Sequence, residues 1–501
     1  MYKRQGIGIV DMEYGRVAGE EQNSITLFRG IPYAKPPVGE LRWKAPQPAE
    51  PWEGVRECRR FRDMCIQNPG WVGMDAFEHH SQSEDCLYLN IWTPAASAEE
   101  ELPVLFWIHG GGFQGGLGDE ELYHGWSLAA KGVLVVSINY RLGALGFLAH
   151  PELSRESEHG VSGNYGLLDQ IAALRWVKKN IRGFGGDPNR IVLDGQSAGG
   201  MSVGALISSP LTSGLYSAAI IQSGGPTAGR AVTLSQGEQI GVELLEKLSC
   251  RNLRELRSLP VEQVLKASCP EPGDPLQYQP FVDGYVLRED PYEAISAGRI
   301  GQVPLIIGGN ADEGLFAPFG GKEYVDFLAS VRAIFGENTE DFLKLYKVTE
   351  ENFQRACLDA QRDYGFLNIQ RVLSRLSKVH PCPVYQYYFV EPIVLEDGTF
   401  VGATHSAELF YVFHTLSVMG GSTPEGKPMK PRLSQAQYAL SDAMGSYWSN
   451  FAKHGDPNSP GLPGWEPLSS TAPQYLRLEA EGIQTEATRF PEKLELLKSK
   501  L

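Results

Sequence analysis

The chain is predicted to be an α/β protein whose central sheet is mostly parallel, flanked by helices, with helical insertions that roof the sheet. Three features lead there. Short apolar runs end in glycine or polar turns, stretches with helical spacing lie between them, and one run passes directly into a glycine-serine turn and a helix.

Taken in order, the segment from about Gly6 to Glu40 has short alternating stretches and turn pairs such as Tyr14-Gly15 and Pro36-Pro37. These suit antiparallel strands at a sheet edge. The runs Val104 to Ile108, Val133 to Ile138, Ile191 to Leu193, Ala218 to Gln222, Pro304 to Gly308 and Val384 to Phe389 are continuously apolar or β-branched. Such runs fit strands buried on both faces. From Leu167 to Ile181 the residues Leu168, Ile171, Leu174 and Val177 recur at helical spacing, with Asp169 and Lys178, Lys179 placed to complement the helix dipole. Residues 235–265 and 322–376 are mostly helical and charged, and are read as insertions roofing one domain that spans 1–501. No repeat, heptad or Gly/Ser linker divides the chain.

Composition narrows the function. The 501 residues carry 45 basic and 60 acidic side chains, a net charge of -15, which repels a phosphate backbone and argues against nucleic acid as partner. No apolar window reaches the length of a membrane span, so no membrane insertion is expected. Seven cysteines, odd in number and without a CxxC pair, exclude a zinc ribbon or a disulfide scaffold and suit free thiols in the cytoplasm. HExxH is absent, and Gly320-Gly321-Lys322 is followed by Glu323 where a P-loop has Ser or Thr, so neither metal nor organic cofactor is implied.

The chemistry concentrates in RIVLDGQSAGG, where a strand runs into GQSAG. In a GxSxG turn the serine is held in a strained conformation at the top of the strand, and the following helix points its free amides toward developing negative charge. Ser197 is the candidate nucleophile. A tetrahedral oxyanion needs donors, and LFWIHGGGF ends a strand in His109 and three glycines. The amides of Gly111, Gly112 and Ala198 are the candidate oxyanion hole, with His109 bracing the loop. The serine needs a base and an acid, in the chain order serine, acid, histidine. His380, His405, His414 and His454 lie late enough, and His405 in VGATHSAELFYVF is preferred. Asp312 and Glu313 both follow the strand in VPLIIGGNADEG, and spacing does not choose between them.

These motifs together resemble the type B carboxylesterases and lipases, the group of the para-nitrobenzyl esterases and cholinesterases. The likeness runs through FRGIPYAKPPVGELRW, SEDCLYLNIW, WIHGGGF, NYRLGALGFL, GNYGLLDQ, FGGDPNRIVLDGQSAGG, IIQSGG, ADEG, THSAELFYVF and WSNFAKHGDPN, in that order. The resemblance implies an α/β-hydrolase fold and a serine esterase acting through an acyl-enzyme on small neutral carboxylic esters, aryl or of short to medium acyl length. It implies Ser197, Glu313 and His405 as the triad, Ser223 as a serine behind the acid, Phe316 in the substrate pocket, and Arg42 with Glu84 and Arg141 with Asp169 as structural ion pairs. A monomer or weak oligomer is expected. Alternatives are a non-catalytic binding protein of the neuroligin kind and an interfacial lipase.

Departures from that pattern matter as much. Gln196 precedes the serine where many relatives have glutamate, Ala76 stands where cholinesterases have tryptophan, and neither Gly229 nor Arg230 supplies their acyl-pocket tryptophan. Choline esters are therefore disfavoured and a roomier pocket is expected. Secreted relatives pair the cysteines matching Cys65 and Cys86, but the partner expected for Cys250 is missing.

Overall fold

The computed structural model describes residues 6–68, 80–224, 232–269, 277–313, 320–321, 323–420, 430–469 and 473–487. Its main sheet has eleven strands among these residues. In chain order they are β1 (Glu20–Gln22), β2 (Ile25–Pro32), β3 (Tyr88–Thr93), β4 (Leu102–Ile108), β5 (Leu134–Ile138), β6 (Gly186–Gln196), β7 (Ala218–Gln222), β8 (Leu305–Asn310), β9 (Val384–Phe389), β10 (Gln474–Leu478) and β11 (Gln484–Ala487). Across the sheet they run β11-β10-β9-β8-β7-β6-β4-β5-β3-β2-β1. From β5 to β10 every neighbouring pair is parallel; β1, β2 and β3 on one side and β11 on the other pair antiparallel. The antiparallel edge expected near the start is thus present, and Ile9–Met12 pairs antiparallel with Gly15–Ala18 in a separate three-stranded sheet.

Continuous apolar strands follow from helices on both faces. Along β4, Val104, Phe106 and Ile108 face one core with Ile171, Leu174 and Val177 of helix α1 (Tyr165–Asn180) and with Val203 and Leu206 of α2 (Ala198–Ser208). Leu105 and Trp107 face the opposite core, with Leu440, Met444 and Trp448 of the C-terminal helix Gln435–His454. A strand read by both faces has no polar side to alternate with. Residues 235–265 and 323–376 are mostly helical, including α3 (Leu234–Lys247), α4 (Tyr324–Phe335) and α5 (Phe353–Leu376).

Two expectations change. Strand β6 begins at Gly186, earlier than its apolar core at Ile191, because Gly186 already pairs with Leu102 across an irregular stretch. Asp169 does not serve the α1 dipole. It is fully buried and holds Arg141 through Nη2 to Oδ1 at 2.7 Å and Nε to Oδ2 at 2.8 Å, which outweighs any interaction with partial helix charges. Arg42 likewise forks onto Glu84 at 2.6 and 2.7 Å.

Candidate active site

The parallel strands gather their carboxyl ends on one side, and the predicted residues emerge there. Between β6 and α2, Ser197 adopts φ +58° and ψ −126°, with its N–H donating to Gln222 O at 2.9 Å. Its flanking glycines are required by close approach: a Cβ on Gly195 would lie 2.5 Å from the Gly199 backbone, and one on Gly199 would lie 2.0 Å from Ile108 O. The turn therefore presses against the end of β4, where the glycine loop begins. A Cβ on Gly110 would sit 3.0 Å from Ser197 Cβ, so the loop lies directly against the serine. Gly111 and Gly112 have φ of +103° and +61°, backbone that other residues rarely adopt.

His109 is buried beneath this loop. Its Nδ1–H donates to Gly110 O at 2.8 Å, its ring stacks on Tyr140 at 4.5 Å, and the Tyr140 hydroxyl donates to His109 O at 3.0 Å. Burial lowers its pKa to about 4, leaving a neutral ring that braces the turn.

After β8 the chain delivers both acids, and their surroundings distinguish them. Asp312 accepts from Arg362 Nε on α5 and from Ala403 N at 2.7 Å. Glu313 Oε2 instead accepts from His405 Nδ1 at 2.6 Å, and its Oε1 accepts from Asn310 N at 2.9 Å. Of the other late histidines, His380 meets Val303 O, His414 meets Ser441 Oγ, and His454 ends the C-terminal helix. His405 precedes helix α6 (Ala407–Val412). Its Nε2 faces Gln196 Nε2 at 3.2 Å, which brings the imidazole to the nucleophile turn. Burial disfavours the imidazolium, yet the hydrogen bond and charge of Glu313 outweigh it, so the His405 pKa is raised above its ordinary value of 6.5. Ser223, with φ +46°, borders the same acid: a Cβ on Gly309 would lie 3.4 Å from Glu313 Oε1 and 3.9 Å from Ser223 Oγ. Ala76, Gly229, Arg230 and Phe316 lie outside the described residues.

Sequence reasoning missed a layer of acids behind this pair. Glu408, wholly buried on α6, accepts from Asn310 Nδ2; burial and then the Glu313 charge raise its pKa to about 7. Asp194 on β6 accepts from Gln222 Nε2 at 2.9 Å, and burial raises it to about 8. An acid inside the apolar run IVLDG was the available signal for Asp194. Glu408, three residues after His405, carried no signal of its own. Because Asp194 holds its proton when folded and loses it near pH 4 when unfolded, stability falls as pH rises through that interval. Asp194→Asn is expected to remove the slope, so its melting temperature should gain on the parent between pH 5 and pH 8. A gain equal at both values would refute this.

The model of the carboxylesterase family matches residues 7–496 of the chain. The chain belongs to the carboxylesterase family. It is 38% identical over 454 residues to a fumonisin B1 esterase of Sphingopyxis macrogoltabida, covering 89% of this chain and 81% of that one. It is 36% identical over 487 residues to the para-nitrobenzyl esterase of Bacillus subtilis strain 168, covering 94% and 95%. A solved para-nitrobenzyl esterase structure superposes with a TM-score of 0.81 at 34% identity, over 99% of this chain and all of the other. This carboxylesterase accordingly has the α/β-hydrolase fold, and it is a serine hydrolase of small-molecule carboxylic esters. Among the described residues no helix is long and apolar enough to cross a membrane.

Proposed function

We propose that Ser197, His405 and Glu313 hydrolyse neutral carboxylic esters, aryl or of short to medium acyl length, through an acyl-enzyme. The observation that carries this is the 2.6 Å hydrogen bond from His405 Nδ1 to Glu313 Oε2 beside a serine held at positive φ. With Nδ1–H committed to Glu313, Nε2 is the ring nitrogen whose lone pair takes the Ser197 proton. Ser197 Oγ attacks the ester carbonyl, the tetrahedral oxyanion is received by the amides of Gly111, Gly112 and Ala198, and His405 returns the proton to the leaving alcohol. Water then enters, gives a proton to His405, attacks the acyl carbonyl and releases the acid and Ser197. The neutral amide of Gln196, which adds no charge beside the serine, supports a neutral substrate. A para-nitrobenzyl esterase among the relatives supports an aryl-type ester.

We read the chain as one domain, with 235–265 and 322–376 as insertions on it, and as cytoplasmic, a reading supported by an odd number of cysteines without a CxxC pair. A panel of p-nitrophenyl and aryl esters of graded acyl length, run beside fluorophosphonate labelling, tests the function. Adduct at Ser197 with turnover of the soluble esters is expected; folded protein that takes no label would overturn it. Since the raised His405 must be neutral to act as base, kcat/KM should be full at alkaline pH. It should fall as pH drops through a midpoint above 6.5. An acid limb centred below that value would contradict the Glu313 partnership.

A further inference from the structure

We infer that Asn310 is a positioning residue for the catalytic base, clamping the turn that carries His405 to the strand that leads to Glu313. This rests on the triad reading above and extends it to a buried residue outside the triad. Asn310 is the last residue of β8, and its backbone N–H donates to Glu313 Oε1 at 2.9 Å. Its side chain serves the other partner. Nδ2 donates one hydrogen to Thr404 O at 2.7 Å and the other to Glu408 Oε2 on α6. A backbone carbonyl can only accept, so the amide must present Nδ2 to Thr404, and both of its hydrogens are committed.

The places of these two bonds give them their effect. Thr404 C=O and His405 N–H belong to one planar peptide unit, so the bond from Asn310 sets the plane from which the imidazole departs. Glu408 lies three residues past His405, in the first turn of α6, so the second hydrogen holds the turn from its far side. Between them Ser406 stands at φ +71°, backbone that serine adopts only where its surroundings impose it. Other bonds reach the same segment without replacing these. Ala407 N–H also donates to Thr404 O, at 3.0 Å, but it belongs to the turn and moves with it. Asp312 grips the chain one residue earlier: its N–H donates to Ala403 O at 2.9 Å, and its Oδ2 accepts from Ala403 N at 2.7 Å. The peptide entering His405 is left to Asn310. Acid and base are both referred to this one residue, and the outcome is the 2.6 Å bond from His405 Nδ1 to Glu313 Oε2.

The test is Asn310→Ala, which removes both side-chain bonds and keeps the backbone N–H. Fluorophosphonate labelling carried to completion counts the competent serines. Turnover of a p-nitrophenyl ester per labelled site should fall by about a hundredfold, the scale of a misplacement near one ångström, with KM changed little. The pH profile gives a second reading. The charged groups facing His405 are Glu313 after β8 and Glu408 on α6, and the short bond to Glu313 favours the imidazolium. Loosening that bond should move the acid limb of kcat/KM to lower pH. Glu408→Gln, which keeps an acceptor for Nδ2 but carries no charge, measures how far the limb moves through the Glu408 charge alone, and Asn310→Ala should move it further. A merely structural role would lower the melting temperature and the number of labelled sites while leaving turnover per site and the acid limb as in the parent. If Asn310→Ala does not fold, Asn310→Leu, which keeps the volume without the donors, takes its place. Undiminished turnover per labelled site would overturn the inference, as would an acid limb displaced no further than in Glu408→Gln. Failure of the triad reading would show separately, as turnover surviving Ser197→Ala.

Discussion

Ser197→Ala is expected to lower kcat/KM for p-nitrophenyl esters by about 10⁴-fold to 10⁶-fold while the protein remains folded. The size follows from the division of labour in the site. Without Oγ there is no acyl-enzyme, and His405 has no serine proton to accept. The glycine loop remains, since a Cβ on Gly110 would meet Ser197 Cβ and that carbon persists in alanine. Residual turnover would then come from water attacking a carbonyl still polarised by the loop, typically 10³-fold to 10⁴-fold above the uncatalysed rate. Backbone strain enters too. Alanine tolerates φ +58° no better than serine, so the fold should neither gain nor lose much, and melting curves check that. His405→Ala should cause a loss of similar order, and combining the two should add little, because residues acting on one proton are not independent. Comparable rates in parent and Ser197→Ala would remove the mechanism.

How far the molecule was legible in its sequence depended on the distance over which each residue's role is decided. Strands β4, β7 and β9 were visible because burial on both faces writes itself into consecutive residues, as in LFWI and AAIIQ. The serine turn was visible for the same local reason, since glycines 195 and 199 and the serine between them satisfy a steric demand within five residues. Choosing between Asp312 and Glu313 was not a local matter. Two adjacent acids differ only in what reaches them, and Arg362 arrives from a helix fifty positions later, whereas His405 arrives from ninety-two. Resemblance chose Glu313; the hydrogen bonds give the physical reason Asp312 is otherwise engaged. Glu408 and Asn310 were invisible because their pairing joins helix α6 to the end of β8, ninety-eight positions apart in sequence. Asp169 read locally is a helix-start acid serving the dipole, and only the family resemblance named Arg141 as its partner, because nothing near it in the sequence reveals that arginine.

That arginine governs the second large effect. Arg141→Met is expected to destabilise the protein by about 3–5 kcal/mol, the range for stranding one member of a buried ion pair. Asp169 is wholly buried, and its Oδ2 also accepts the Arg141 N–H at 3.1 Å. Burial raises the Asp169 pKa while the Asp169 charge and hydrogen bonds raise that of Arg141, so desolvation opposes the attraction and the pair itself need not be strongly stabilising. The double variant Arg141→Met, Asp169→Leu should therefore recover most of the loss in denaturant unfolding. The single variant should also suffer less at pH 5 than at pH 8, because the stranded carboxyl escapes its charge by taking a proton as pH falls. Activity should follow by a connected route. Tyr140, adjacent to the arginine, stacks on His109 and donates to its carbonyl, and His109 in turn bonds the glycine loop. Loosening that stack displaces oxyanion donors without touching Ser197, so turnover should drop while fluorophosphonate still labels the serine. A single variant as stable as the parent, or a double variant no better than the single, would show that the pair does not anchor this part of the fold.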